Sequence, residues 1–304
     1  MTERPEARTE TRPEPRTVIA PGLSVLTRPG GELQIGISPR HRIRIADTAV
    51  ARRTLAALAR GEAPTDQAGR RLLSRLEAAL RDGGSLVQPG LPIPEMAALS
   101  LRHPVTALSR LENRRRTAVR VIGDLGVDPA PLIAATGLGT GPRTERTVSL
   151  VLCQGEPDRG ALDPLLRERQ PYLLLRAVEG DLVLGPFVDP GRTACLRCVD
   201  AHLAEQDPAY PVLVSRGARL VPTSDVAEPV DSALATIAIG WAVRDLVQYA
   251  EGDTVSTWSA TVLLGPDDLD LTPVSWQQHP ACGCGWARSA EPAEPWHASR
   301  TMGA

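Results

Sequence analysis

The stretch Ala118-Val119-Arg120-Val121-Ile122-Gly123-Asp124-Leu125-Gly126-Val127-Asp128 decides the fold. Its first half is apolar and β-branched around Arg120 and runs into glycine, the pattern of a strand ending in a tight turn. Pro129–Thr136 then reads as a helix with Pro131 in its first turn. Thr147–Cys153 is a second buried strand, and Pro157–Gln170 a helix carrying Leu162, Leu165 and Leu166. Tyr172–Val178 and Asp181–Phe187 form a strand pair joined at Glu179-Gly180. Alternation of strand and helix predicts an α/β domain with a partly parallel sheet, a Rossmann-like layout. Asp231–Ala250 is its longest helix, apolar over most of its girth, which suits either the core or a homodimer interface. Val255–Leu264 is a late strand.

A strand ending in Gly-x-x-Gly before a helix is where nucleotide-binding folds place their phosphate turn. A working turn reads G-x-G-x-x-G, and this one keeps only Gly123 and Gly126. Leu125 adds a Cβ where backbone must approach phosphate. Asp124 and Asp128 put negative charge at a helix N-terminus that would otherwise attract an anion. The residues favour an ordinary strand–helix turn.

On the N-terminal side, Leu23–Thr27, Leu33–Ile37 and His41–Ala46 alternate as three short strands, and helices follow at Thr48–Arg60 and Gln67–Asp82. This is a unit of winged-helix size over residues 18–88. It holds eleven Arg against six Asp and Glu, whereas the whole chain has net charge −2. The two halves therefore meet different partners. Residues 1–17 read as a disordered tail, 89–117 as a linker with a helix near Val105–Arg115, 118–286 as the α/β domain and 287–304 as a flexible tail.

All 34 basic residues among the 304 are arginine. Without lysine there is no phosphate-loop lysine and no Schiff base. The N-terminus lacks the apolar segment of a signal peptide, and no stretch approaches the ~20 apolar residues of a membrane span. A cytoplasmic location without membrane attachment is expected. Five cysteines in such a chain argue against a disulfide framework and leave metal binding open.

Four of them fall in two tight pairs, Cys195-x-x-Cys198 and Cys282-x-Cys284, with 83 residues between. Four thiolates in this pattern suit a tetrahedral structural zinc that staples the C-terminal segment to the domain. All ligands come from protein, so no coordination position is left for catalysis. His279, three residues before Cys282, is an alternative ligand. Cys153 ends a buried strand and packs as a small hydrophobe.

Gly185-Pro186-Phe187-Val188-Asp189-Pro190-Gly191 leading into Cys195-x-x-Cys198, with Pro208-Ala209-Tyr210-Pro211 after it, resembles the ThiF-like proteins of azole-peptide (TOMM) biosynthesis. His279-Pro280-Ala281-Cys282-Gly283-Cys284 resembles the same family, whose relatives are the ThiF/MoeB adenylating enzymes of ubiquitin-activating type. The resemblance covers roughly residues 18–286. It implies a winged-helix-like module that binds the leader of a ribosomal precursor peptide, and a role in presenting that peptide to a YcaO-type cyclodehydratase. The adenylating relatives use a three-glycine turn, a lysine near the phosphates and an aspartate for magnesium just after the second strand. Here that last place reads Gln154-Gly155-Glu156, and Gly137–Thr147 is too short for a further strand with a ribose-binding acid. These departures argue against ATP as a cofactor and for a retired adenylating fold kept as a scaffold.

By the same resemblance, the leader adds as a strand beside His41–Ala46 and lies against Gln67–Asp82. Arg42, Arg44, Arg71 and Arg75 would then attract its acidic residues, or else form a solvated face. Ile43, Ile45, Leu72 and Leu76 belong to the core. The expected function is a non-catalytic leader-peptide-binding adaptor. Its alternatives are an ATP-dependent adenylating enzyme and a winged-helix DNA-binding protein. The last is disfavoured because no basic recognition helix carries base-reading Asn or Gln.

Overall fold

The computed structural model describes residues 19, 22–39, 42–81, 94–103, 105–139, 146–218, 228–266 and 271–284. The tails expected at 1–17 and 287–304 lie outside them. The chain divides into two compact units, Met1–Glu112 and Asn113–Ala304.

In the first unit, β1 (Val25–Arg28), β2 (Glu32–Ile35) and β3 (Ile43–Ala46) form an antiparallel sheet with β2 in the middle. Gly30 and Gly31 make the β1–β2 turn in the left-handed region, φ +90° and +75°, where a side chain would be strained. The register sets Leu33 opposite Ile45 and Ile35 opposite Ile43, which puts the apolar residues on one face. Helix α1 (Ala49–Ala59) is capped by Thr48, whose hydroxyl accepts from the Ala51 N–H at 3.0 Å. Asp66 accepts from the Gly69 N–H at 2.6 Å at the start of α2 (Gln67–Arg81). Leu33, Ile35, Leu55, Leu58 and Leu76 form the core, with Ile43, Ile45 and Leu72 packed against it, as the periodicity predicts.

The segment read as a linker is more structured than its prolines suggest. It carries α3 (Pro94–Arg102) and α4 (Ala107–Arg115), joined through Met96, Leu99, Ala107 and Leu111. Only the second has a counterpart in the sequence reading.

The second unit is built on a six-stranded sheet of β4 (Thr117–Gly123), β5 (Arg146–Gln154), β6 (Tyr172–Val178), β7 (Asp181–Val188), β8 (Ala260–Leu264) and β9 (Val274–Ser275), ordered as numbered. The β4–β5 and β5–β6 pairs are parallel and the others antiparallel. On the other side of β4, the pairing found among the described residues is a single parallel bridge, Ala118 to Gly139.

Five helices of this unit lie among the described residues: α5 (Ala130–Ala135), α6 (Arg159–Arg167), α7 (Leu196–Gln206), α8 (Tyr210–Gly217) and α9 (Ser232–Glu251). Both faces of the sheet are covered, which is why Leu150, Val151 and Leu152 of β5 and Leu173, Leu174 and Leu175 of β6 are consecutive buried apolar residues. Leu150, Leu152, Leu173 and Leu175 face one core with Leu234, Ile239, Val243 and Leu246 of α9. Val151, Tyr172 and Leu174 face the other, with Leu162 and Leu165 of α6 and Leu196 and Val199 of α7.

Two departures from the sequence reading have local causes. The late strand begins at Ala260 rather than Val255, because the buried Asp245 carboxylate takes the Ser256 hydroxyl at 2.9 Å, the Thr257 N–H at 3.0 Å and the Thr257 hydroxyl at 2.6 Å. Helices α7 and α8 are unforeseen. The first starts at the cysteine pair, and the second buries no residue and so shows no core periodicity. Among the described residues, no helix is long and apolar enough to cross a membrane.

Candidate functional site

Cys195 is the N-cap of α7, with extended backbone (φ −91°, ψ 174°), and its carbonyl accepts from the Cys198 N–H at 2.9 Å. Three residues make nearly one helical turn, so both thiols leave the same face. The other pair comes from the segment after β9. Several bonds hold that segment in place. The Trp276 N–H donates to the Ser259 carbonyl at 2.7 Å, Gln278 Nε2 to the Thr193 carbonyl at 3.1 Å, and the Cys282 N–H to the His279 carbonyl at 2.9 Å. His202 of α7 meets the Gln277 carbonyl at 3.0 Å.

The result brings all four cysteines together, a cluster that could hold a metal ion, with sulfurs within 4.8 Å of one another. Sγ separations are 3.8 Å for Cys195–Cys198, 3.6 Å for Cys195–Cys282 and 3.3 Å for Cys198–Cys284. A tetrahedral ion with sulfur at ~2.3 Å sets its ligands ~3.8 Å apart. Three of the thiols are buried and Cys284 is half-buried. Hydrogen bonds from Cys195, then Cys282 and Cys284, hold the Cys198 thiol far below its ordinary value, while the Cys195 thiol is pushed up by its bond to Cys198. Cys282 is likewise held below its ordinary value by its bond to Cys195, and Cys284 is pushed up by its bonds to Cys198 and Cys282, so two thiols are lowered and two raised. His279 does not join it through its ring, which meets Glu205 at 3.0 Å. Cys153 stands apart, and burial pushes its thiol up to about 11.

The turn after β4 has its own occupants. Gly123 sits at φ +86°, and a Cβ there would lie 1.9 Å from the Leu152 carbonyl oxygen. Gly126, at φ +78°, faces open space. The Gly126 N–H donates to the Asp124 carboxylate at 2.8 Å, and the Ala130 N–H to the Asp128 carboxylate at 2.9 Å. Two N–H groups that would cradle a phosphate are thus taken by the chain's own carboxylates. Glu156 is also engaged, by Arg159 at 2.6 Å and Arg176 at 3.4 Å. Arg159 bonds Asp200 of α7 twice more, at 2.9 and 2.8 Å. This network escaped the sequence reading, because nothing in local pattern links positions 159 and 200.

In the first unit, β3 is an edge strand among the described residues, with Arg44 on its exposed side and Arg42 just before it. Arg71 and Arg75 are exposed on α2. None of the four pairs with a carboxylate among the described residues.

No known family profile matches the chain, and no curated protein sequence is significantly similar. The mixed α/β fold, of ThiF-like type, is nevertheless shared with solved heterocyclases. The heterocyclase TruD aligns over 92% of this chain and 45% of its own, with TM-score 0.63 and 17% identity. A heterocyclase in complex with substrate and cofactor aligns over 85% of this chain and 38% of its own, with TM-score 0.60 and 16% identity. E. coli MccB with AMPCPP and MccA aligns over 88% of this chain and 99% of its own, with TM-score 0.57 and 10% identity. The chain therefore spans less than half the length of the two heterocyclases and nearly all of MccB. At these identities the likeness is one of fold.

Proposed function

We propose that this protein is a non-catalytic adaptor that binds the leader of a ribosomal precursor peptide and presents it to a YcaO-type cyclodehydratase. The observation that carries the reading is the shared fold. Nearly the whole chain aligns with the heterocyclase TruD, over 45% of that protein's length, and with MccB, solved with MccA. Peptide binding is supported by MccB, solved with MccA, and by the unpaired edge of β3 among the described residues. An added strand would bond to the β3 backbone, while Arg42, Arg44, Arg71 and Arg75 draw acidic leader side chains.

The second unit then serves as scaffold. Zinc fits the four-cysteine cluster: four soft ligands, separations near a tetrahedron's edge, and no water-accessible position required. When bound, the ion cross-links α7 to the segment at Cys282–Cys284 and supplies no chemistry of its own. ATP is disfavoured by the carboxylates that fill the turn after β4 and by the pairing of Glu156.

Fluorescence anisotropy with a labelled leader from a precursor encoded beside this protein tests the adaptor reading. Saturable binding that survives loss of ATP and magnesium is expected. No binding to any such leader overturns it. The adenylating alternative, favoured by the MccB structures with ATP, predicts pyrophosphate exchange with ATP and a carboxyl substrate.

A further inference from the structure

Tyr172 opens β6 on the sheet face that meets α6 and α7. Its side chain is 1% exposed, and its hydroxyl has no hydrogen-bond partner among the described residues. A buried hydroxyl left unmade costs ~1–3 kcal/mol. Its surroundings indicate where the bond goes. Tyr172 packs in one cluster with Cys195, Cys198 and Cys282. It also lines a cavity of about 10 Å³ together with Arg159, Leu162, Asp163, Leu166 and Cys195. That is the size of one water molecule.

The other polar groups at this cavity are engaged. Arg159 is spent on Glu156 and Asp200. Asp163 accepts from Arg197 at 3.0 to 3.2 Å, which leaves lone pairs for one more donor. The sulfur of Cys195 is a second acceptor at the cavity. A water here would accept from the Tyr172 hydroxyl and donate its two hydrogens to the Cys195 sulfur and the Asp163 carboxylate. All its bonds would then be satisfied.

We propose that the Tyr172 hydroxyl is a positioning group for the metal centre, linked through one buried water to the Cys195 thiolate. The proposal rests on the zinc reading. Hydrogen bonds to a metal-bound thiolate draw off part of its charge and fix its direction, and loss of such outer partners weakens metal binding by ~10–100-fold. The hydroxyl of a tyrosine is a donor as well as an acceptor, so it can supply the hydrogen. The sequence alone carries no trace of this role, since Tyr172 reads there as an ordinary strand aromatic.

The test uses the full chain loaded with zinc or cobalt. Metal per chain is measured first, then zinc release to a chromophoric chelator and the sulfur-to-cobalt charge-transfer band. Tyr172→Phe is expected to keep one metal per chain, to release zinc at least about tenfold faster and to shift the cobalt band. Leu162→Ala, which opens the same cavity without touching a hydroxyl, is expected to leave the band in place. Wild-type protein that takes up no metal overturns the zinc reading and this proposal together. One metal per chain with equal release rates and superimposable bands for wild type and Tyr172→Phe overturns the role of Tyr172 alone. An equal band shift in Leu162→Ala assigns the effect to packing and also overturns it.

Discussion

The sulfur of Cys195 lies 3.6 Å from that of Cys282, although 87 positions of chain separate them. One end of that contact is a helix cap and the other a short turn after the last strand. Everything between them, including α8, α9 and β8, is enclosed in the loop it closes.

Removal of the metal is therefore expected to open the C-terminal segment. Cys282→Ser should lose the ion and cost at least about 4 kcal/mol of stability, the range in which loss of a metal belongs. Thermal unfolding with metal analysis checks this. Cys153→Ser should keep full metal content, and a loss there would place Cys153 in the site.

Thiol reactivity separates the same residues by another route. In metal-loaded protein at pH 8, none of the five cysteines should react quickly with iodoacetamide. Four are ligands, and the Cys153 thiol, raised to about 11, is only ~0.1% thiolate at that pH. Its rate should rise about tenfold per pH unit until the pH reaches that value. A chelator should release four fast thiols, and five would mean that Cys153 is neither buried nor raised.

The two glycines of the turn should behave differently. Gly123→Ala drives a Cβ to 1.9 Å from the Leu152 carbonyl at a left-handed φ. Clash and strain together are expected to cost about 3 kcal/mol or more. Gly126→Ala meets open space and should cost only ~1 kcal/mol of left-handed strain. Urea denaturation of both variants decides it. Similar costs would mean that strand contact is not what retains Gly123.

On the proposed peptide-binding reading, charge reversal on the first unit gives a graded effect. Arg44→Glu and Arg71→Glu should each weaken an acidic leader by about 2–5-fold, the worth of an exposed ion pair, and the loss should shrink at high salt. Anisotropy at two ionic strengths measures it. Unchanged affinity would leave these arginines as a solvated face.

Arg114 of α4 and Glu251 of α9 form an ion pair with both side chains at most 1% exposed, and Arg114 Nη1 also donates to the Thr136 carbonyl at 2.9 Å. Glu251→Gln leaves a buried guanidinium without its counter-charge. A loss of about 3–5 kcal/mol is expected in chemical denaturation. A loss below 1 kcal/mol would show that solvent or another group compensates.

Much of this was legible in the chain. Period-two alternation marked β1 to β3, continuous apolar runs marked β4 to β7, helical spacing marked α1, α2 and α6, and an apolar girth marked α9, because most of these elements bury a face or the whole of their surface. Cysteine spacing alone paired Cys195 with Cys198 and Cys282 with Cys284, and the sequence of the turn set Leu125 and Asp128 where a phosphate turn has glycine, while only the structure showed that Leu125 is buried in the core. Elements without a buried stripe were not legible: α8 buries nothing, and α3 is hidden by the prolines around it.

What the sequence by itself determined is local: which segments extend or coil, and which residue types offer metal ligands, positive charge or a blocked turn. Those properties depend on neighbours within a few positions, where backbone sterics and side-chain period act. The tertiary structure alone decided the contacts that cross the chain. It closed the four sulfurs into one cluster, tied Arg159 to Asp200, set Gly123 against Leu152, and left the Tyr172 hydroxyl buried beside Cys195. Such contacts are made by packing two sheet faces against helices, and no local pattern records which distant residues that packing brings together.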